Sequence, residues 1–414
     1  YCTELKERRL TDGVTTSFQP QYSPDGKKVA YFQNREAICV VDLKSCKMHT
    51  AMDAKYTYSY SDGDQYFTWS PDGKWLLANY MGNGGWNNVD VALIDAEGKD
   101  EPVNLTQSGY TDSRPRWVMG GKAMIFASDR AGYRSHGSWG AHRDVYITFF
   151  DDEAYNKFRM NKEDRSLLEE SEKKDKKSEK KDSTEKEKKV EVLELQLDNL
   201  DDRTMRLTFQ SSHLSDAVMN NEGTRLYYLA PHNGNMALWV RDFVEERTEL
   251  KMQRIDARSF QLDKSGNTCC FIGQGGTLCQ LNLNSASVKT IPFEAFTVTQ
   301  PAKTQAYNFE HIWRQTKEKL YDPGMNGADW ERLYTTYKRF LPHINNGYDF
   351  AEMASELLGE LNVSHTGCRY HAPSSSLPVA QLGIIPDETY QGEGIRVAEV
   401  LSGGPLDVCK DIKA

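Results

Sequence analysis

Ser364 and His365 are the residues of this chain whose types and order best suit chemistry. A histidine exchanges protons near neutrality, so one held rigidly beside a cleft serves as a general base for a nucleophile. The types alone assign nothing, because Ser-His recurs at Ser135-His136 and Ser212-His213. Cys368 is a nucleophile by type, but three residues from the base it reads as a bystander. His136, in the stretch Ser128–Gly140, and His142 stand six residues apart in a Gly- and Ser-rich loop, a spacing that sets up no coordination geometry. The eight cysteines show no CxxC pair, so no zinc site and no other cofactor is expected. Cys39 and Cys279 read as buried strand residues.

The position of Ser364-His365 is what singles it out. Phe309, Ile312, Trp313 and Leu320 fall at helical intervals, as do Trp330, Leu333, Tyr334, Tyr337 and Phe340-Leu341. A third apolar face collects Phe350, Met353, Ala354, Leu357, Leu358 and Leu361. Asp322-Pro323-Gly324 separates the first helix from the second, and Pro342 with Asn345-Asn346-Gly347 separates the second from the third. Asp349 is the expected N-cap of the third helix. Three short helices so connected predict a small bundle, and the Ser-His pair follows its last helix directly.

Tyr321-Asp322, Gly327-Ala328-Asp329-Trp330, Tyr337 and the run Glu360-Leu361-Asn362-Val363-Ser364-His365 resemble, in order and spacing, the signature of tricorn-type serine peptidases over roughly sixty residues. The resemblance implies that His365 is the general base and that Ser364 supports the site. It also implies a nucleophilic serine and a glutamate in a later domain, beyond a PDZ domain, so neither is assignable in this sequence. Peptides or unfolded polypeptides are the implied substrates. A homo-oligomer is the implied assembly, in the cytoplasm by likeness to tricorn or in the periplasm by likeness to bacterial relatives.

Ahead of the helices a strand-and-turn pattern repeats. Tyr22-Ser23-Pro24-Asp25-Gly26-Lys27 recurs as Trp69-Ser70-Pro71-Asp72-Gly73-Lys74, with weaker copies around Gly121, Gly223 and Gly266. Proline presets the first turn angle, Asp bonds its own backbone and Gly accepts the left-handed position, so each copy predicts a hairpin. Turn glycines are spaced by 47 (Gly26 to Gly73), 48 (Gly73 to Gly121) and 43 (Gly223 to Gly266), a period suited to four-stranded propeller blades. Leu10-Thr11, Leu105-Thr106 and Leu207-Thr208 each precede the next turn and mark equivalent strands. The pattern resembles TolB/WD40-like blades, including those of tricorn-type and prolyl-oligopeptidase-type enzymes. No Gly-x-Ser-x-Gly elbow of the latter class is present. The doubled gap from Gly121 to Gly223 implies an insertion, and residues 162–189, almost wholly Lys, Glu, Asp and Ser, are too polar to bury.

After the pair, Pro378–Ile385 and Gly394–Leu401 read as two strands closed by Gly403-Gly404-Pro405-Leu406. In family order this resembles the opening of a PDZ domain, whose strand edge takes peptide ends by β-augmentation; an ordinary hairpin would show the same pattern. The expected organisation is multidomain and mainly β. A partial β-propeller spans 1–297 with the insertion at 162–189, a helical domain spans 298–367, and the first part of a PDZ-like domain spans 368–414. The start, which lacks both an initiator Met and a signal-peptide core, and the end inside a domain read as a chain cut at both ends or as a mature product at the front. Across 414 residues the formal charge of −9 argues against nucleic acid as the main partner, and no run of eighteen apolar residues predicts a membrane span. Two functions fit these features: a peptidase that uses His365, and a propeller-plus-PDZ scaffold that holds peptides without cutting them.

Overall fold

Trp75–Tyr80 and Asp90–Asp95 are apolar on consecutive residues, so a sheet built from them must be covered on both faces. The computed structural model describes residues 7–61, 63–82, 85, 87–134, 140–179, 192–296, 298–371 and 382–409. The chain divides into two compact units, Tyr1–Phe293 and Glu294–Ala414.

The first unit is a five-bladed β-propeller. Each blade is a four-stranded antiparallel meander in sequence order. Blade one comprises Ser17–Tyr22, Lys28–Gln33, Ala37–Asp42 and Met48–Met52. Blade two comprises Phe67–Trp69, Trp75–Tyr80, Asp90–Asp95 and Val103–Asn104. Blade three comprises Asp112–Val118, Ala123–Ser128, Asp144–Phe149 and Thr204–Arg206. Blade four runs from Asp216–Met219 to Arg247–Met252, and blade five from Gln261–Leu262 to Ser287–Thr290. Strand side chains alternate between faces, and this alternation joins the blades. Leu76 and Ile94 pack with Phe32, Ile38 and Met52 of blade one, whereas their neighbours Leu77 and Leu93 pack with Met124 and Phe126 of blade three. Further cores fill the spaces between blades three and four and between blades four and five.

The repeated turns connect first to second strands. In blade one the Ser23 hydroxyl donates to Asp25 (2.7 Å) and accepts from the Lys28 amide (3.0 Å); in blade two Ser70 repeats this with Asp72 (2.6 Å) and Trp75 (2.9 Å). Gly26 and Gly73 take φ of 69° and 70°, a conformation costly for a residue with a Cβ. The insertion enters between the third and fourth strands of blade three. It holds helix α1, Asp152–Arg159, capped by Asp151, and helix α2, Lys162–Glu179; residues 180–191 lie outside the described residues.

The Leu-Thr pairs are polar latches. Thr106 Oγ1 accepts from the Val91 amide (3.1 Å) and donates to buried Asp90 (3.0 Å). Thr208 Oγ1 does the same with the Val145 amide (3.0 Å) and Asp144 (2.7 Å). Each latch ties the end of a fourth strand to the start of the third. Leu10-Thr11 lies outside any strand.

In the second unit, helix α3 (Pro301–Lys319), helix α4 (Trp330–Lys338) and helix α5 (Gly347–Gly359) bury Phe309, Met325, Trp330, Leu333, Phe350, Met353 and Leu357 in one core. Trp313 and Trp330 exchange indole-to-carbonyl hydrogen bonds of 3.1 and 3.0 Å. Such bonds contribute about 1 kcal/mol each, less than the roughly 1.5–3 kcal/mol from burying one large apolar side chain; they set the geometry of α3 against α4 more than its stability. The N-cap of α5 is Asn346, not Asp349: the Asn346 side-chain Oδ1 accepts from the Asp349 backbone amide (2.9 Å), and the Asp349 carboxylate accepts in return from Asn346 Nδ2 (2.7 Å). An acidic residue three positions past an Asx cap completes a reciprocal box, so the helix starts earlier than expected.

Farther on, Ile384–Pro386 pairs antiparallel with Val397–Val400, followed by the short helix α6, Pro405–Val408. These strands are shorter than the apolar pattern predicts, and residues 378–381 lie outside the described residues. Gly383 has φ of 69° and leaves the extended region. A Cβ on it would stand 2.9 Å from Pro405 Cδ, which packs the Leu-Gly step directly onto Gly404-Pro405.

The latch generates a prediction. Thr208→Val keeps the shape but strands the Val145 amide and removes one of the donors to buried Asp144, which keeps Arg206 and Ser211. It should destabilise the propeller by about 1–3 kcal/mol, read as a lower urea midpoint by tryptophan fluorescence. An unchanged midpoint would show that the latch contributes nothing.

Candidate functional site

Helix α5 ends at Gly359, and Leu361 and Asn362 close a last turn through bonds to the Leu358 and Gly359 carbonyls (3.3 and 3.0 Å). Leu361 is buried in the helical core and Val363 packs half-buried against it. The chain then swings through a turn in which Asn362 (φ 49°) and His365 (φ 62°) are left-handed, a region that Asn and His enter more readily than most residues. Ser364 and His365 are both exposed at its tip.

The turn is held at both ends. On the near side, the Asn326 amide donates to the Leu361 carbonyl (2.8 Å). Asn326 is itself placed by Asp322, whose carboxylate accepts from the Gly324 and Asn326 backbone amides (2.9 and 2.8 Å). On the far side, Ser355 of α5 donates its hydroxyl to the Cys368 carbonyl and accepts from the Cys368 amide, both at 2.9 Å. Two residues later the Tyr370 ring lies over Gly347, where a Cβ would come within 2.4 Å of it, and meets Tyr348 edge to face at 5.0 Å. The segment after the turn therefore runs back along α5, from Ser355 towards the helix start.

Chemically this presents an imidazole on an anchored loop. Among the described residues, neither the His365 ring nor the Ser364 hydroxyl makes a hydrogen bond, so both ring nitrogens can accept or donate to an incoming group. Cys368 enters the clamp through its main chain. Beside the turn, Tyr337 donates to Glu360 (3.1 Å); burial first, and then this carboxylate, hold the phenol above its ordinary pKa. Asn326, Ser355 and Tyr370 are the positioning residues that periodicity did not single out. The one local signal was a serine inside an otherwise apolar helix face at Ala354-Ser355.

His136 lies outside the described residues, while His142 stacks edge to face on His213 with ring centroids 4.6 Å apart. Among the described residues no three His, Cys, Asp or Glu side chains are grouped to hold a metal, and no helix is long and apolar enough to cross a membrane. Cys39 and Cys279 are buried, and burial pushes the Cys39 thiol up.

Residues 301–359, the three helices that carry the turn, match the Tricorn protease C1 domain family. A protein named Tricorn-like protease C-terminal subunit, from Sulfurisphaera tokodaii, is 20% identical over 410 residues, covering 93% of this chain and 43% of that protein. Tricorn protease homolog 2 of Streptomyces coelicolor is 32% identical over 65 residues, 16% of this chain and 6% of that one. The crystal structure of the tricorn protease matches 85% of this chain and 33% of its own at a TM-score of 0.59 and 14% identity, a likeness of fold. The chain thus spans less than half the length of each of these proteins. The helices at residues 301–359 thus resemble the tricorn C1 domain, and most of the chain shares its fold with the tricorn protease.

Proposed function

We propose that the natural product containing this chain is a tricorn-like serine peptidase acting on peptides or unfolded polypeptides, with His365 as its general base and Ser364 as a supporting residue. One observation carries this reading: an exposed histidine, fixed at both ends of its turn, directly follows the helices that match the C1 family. In the reaction, His365 takes the proton of a serine hydroxyl as that oxygen attacks the scissile carbonyl. It then passes the proton to the leaving amine, and water resolves the acyl-enzyme. The family resemblance assigns the serine and an acidic partner to a domain after the PDZ-like segment that starts at residue 368. No cofactor enters this chemistry. The strand edge around Ile384–Pro386 would receive peptide ends by β-augmentation, and the full-length protein is expected to form a homo-oligomer, in the cytoplasm or, with a leader removed, in the periplasm.

A second reading, a peptide-holding scaffold, is favoured by one fact: Ser364 and His365 make no side-chain hydrogen bond among the described residues. The two readings separate on hydrolysis of unstructured fluorogenic peptides by the full-length product. The peptidase reading expects His365→Ala to lower kcat/KM by roughly a thousandfold or more, the scale of removing a base from a nucleophile–base unit. Equal rates would make His365 structural, and absence of activity in both proteins would establish the scaffold. Residues 1–414 alone should hydrolyse no faster than their own His365→Ala variant.

The clamp makes a separate prediction. Ser355→Ala frees the Cys368 amide, so hydrogen exchange there should quicken. In the full-length enzyme kcat should fall by about tenfold, because a misplaced base costs rate before it costs binding, while KM holds. Unchanged exchange at Cys368 would remove Ser355 from the clamp.

A further inference from the structure

Blade three is rich in arginines, and four of them are neutralised by contact. Arg116 pairs with Asp216 at 2.8 Å, Arg134 with Asp129 at 3.4 Å and Arg206 with Asp144 at 3.0 Å, while Arg130 pairs with Asp112. Each of these carboxylates is buried and committed. Two arginines break the pattern. Arg143, on the approach to the third strand, is fixed through its main chain to Ser212 (2.7 and 3.3 Å), yet its guanidinium makes no hydrogen bond or ion pair among the described residues. Burial pushes its pKa down, against the field of Asp129, and the like charge of Arg114 adds to the drop. Arg114 sits where the register of the first strand slips, with φ of 53°, and among the described residues its guanidinium donates to the Ser215 carbonyl. A bulge of this kind re-aims a side chain out of the ladder.

Both arginines line one cavity of about 680 Å³ between blades two and three. Gln65, Asn79 and Ser113, exposed by only 5, 5 and 7%, line it as well, and their Oε1, Oδ1 and Oγ atoms find no partner among the described residues. Asp64 is the acidic wall residue among those described, but its oxygens already accept from Ser59 Oγ (2.8 Å) and from the Tyr60 and Ser61 amides (2.7 and 3.0 Å). A half-buried cation without a contact partner and a set of buried, unsatisfied amide and hydroxyl groups are costly in an empty site. A ligand that brings one carboxylate together with neutral hydrogen-bonding groups satisfies both.

We propose that this cavity is a binding site for an organic carboxylate bearing adjacent amide or hydroxyl groups, with Arg143 and Arg114 as the anion-binding pair. Guanidinium groups suit a planar carboxylate through paired N–H donors. The chemistry is shared by the free C-terminal end of a peptide and by small amino or hydroxy acids. The site lies wholly within the blade unit and stands whether or not the peptidase reading does.

Isothermal titration of the full chain with N-acetyl-trialanine, its C-terminal amide, lactate and inorganic phosphate tests it. The acid should bind, the amide at least tenfold more weakly, and Arg143→Gln should weaken the acid by at least tenfold. Arg114→Gln provides a second variant should the first fail to fold, and Arg247→Gln, on an exposed arginine, should change nothing. Lactate binding as tightly as the peptide acid would assign the site to small acids; peptide binding well above lactate would assign it to chain ends. Equal affinity for acid and amide, indifference to both arginine variants, binding of phosphate alone, or no binding at all would overturn the proposal.

Discussion

No blade of this propeller can bury its own apolar surface. Consecutive strand residues point to opposite faces, and the middle strands are apolar on both, so blades two, three and four each depend on a neighbour at either side. Leu76 and Leu77 are adjacent in the chain, yet belong to different cores. This makes stability a property of the array, with terms between neighbouring blades in place of one central core. It also explains the even spacing of the repeat, because a blade of different size would leave a neighbour partly uncovered.

The helical unit solves a different problem. Its core and the Trp313–Trp330 exchange make a rigid support, but the Ser364-His365 pair sits on a turn outside it. Asn326 and Ser355 carry the rigidity across that gap by bonding main-chain atoms on either side of Ser364 and His365. Main-chain anchoring leaves both side chains unencumbered. Both ring nitrogens of His365 are thereby left open, one for a proton in transfer and the other for an orienting partner.

The blades were legible because their signal is local. Ser-Pro-Asp-Gly closes its own hairpin through contacts two to five residues apart, so composition and spacing identify it without the rest of the fold. The helices were legible from periodicity, and with them the place of His365. The α5 cap was misplaced because Asn346 and Asp349 are both Asx residues and the box they form is reciprocal. The clamps were not legible, since Asn326 and Leu361 are 35 residues apart and only the packed bundle brings them together. The same holds for Arg143: a sequence lists arginines, but which of them go without a carboxylate is decided by the blades.

The latches of blades two and three do the same work over very different lengths of chain. Asp90 and Thr106 close a loop of 16 residues, whereas Asp144 and Thr208 close one of 64. Closure entropy grows only with the logarithm of length, so these two doublings cost about 1.2 kcal/mol. That is within what a single buried hydrogen-bonded contact returns, which is why a blade can carry a long, highly charged excursion and still shut. The same logarithm imposes an order in time. The short loops find their partners first, and the fourth strand of blade three, arriving after the excursion, seals its sheet among the last.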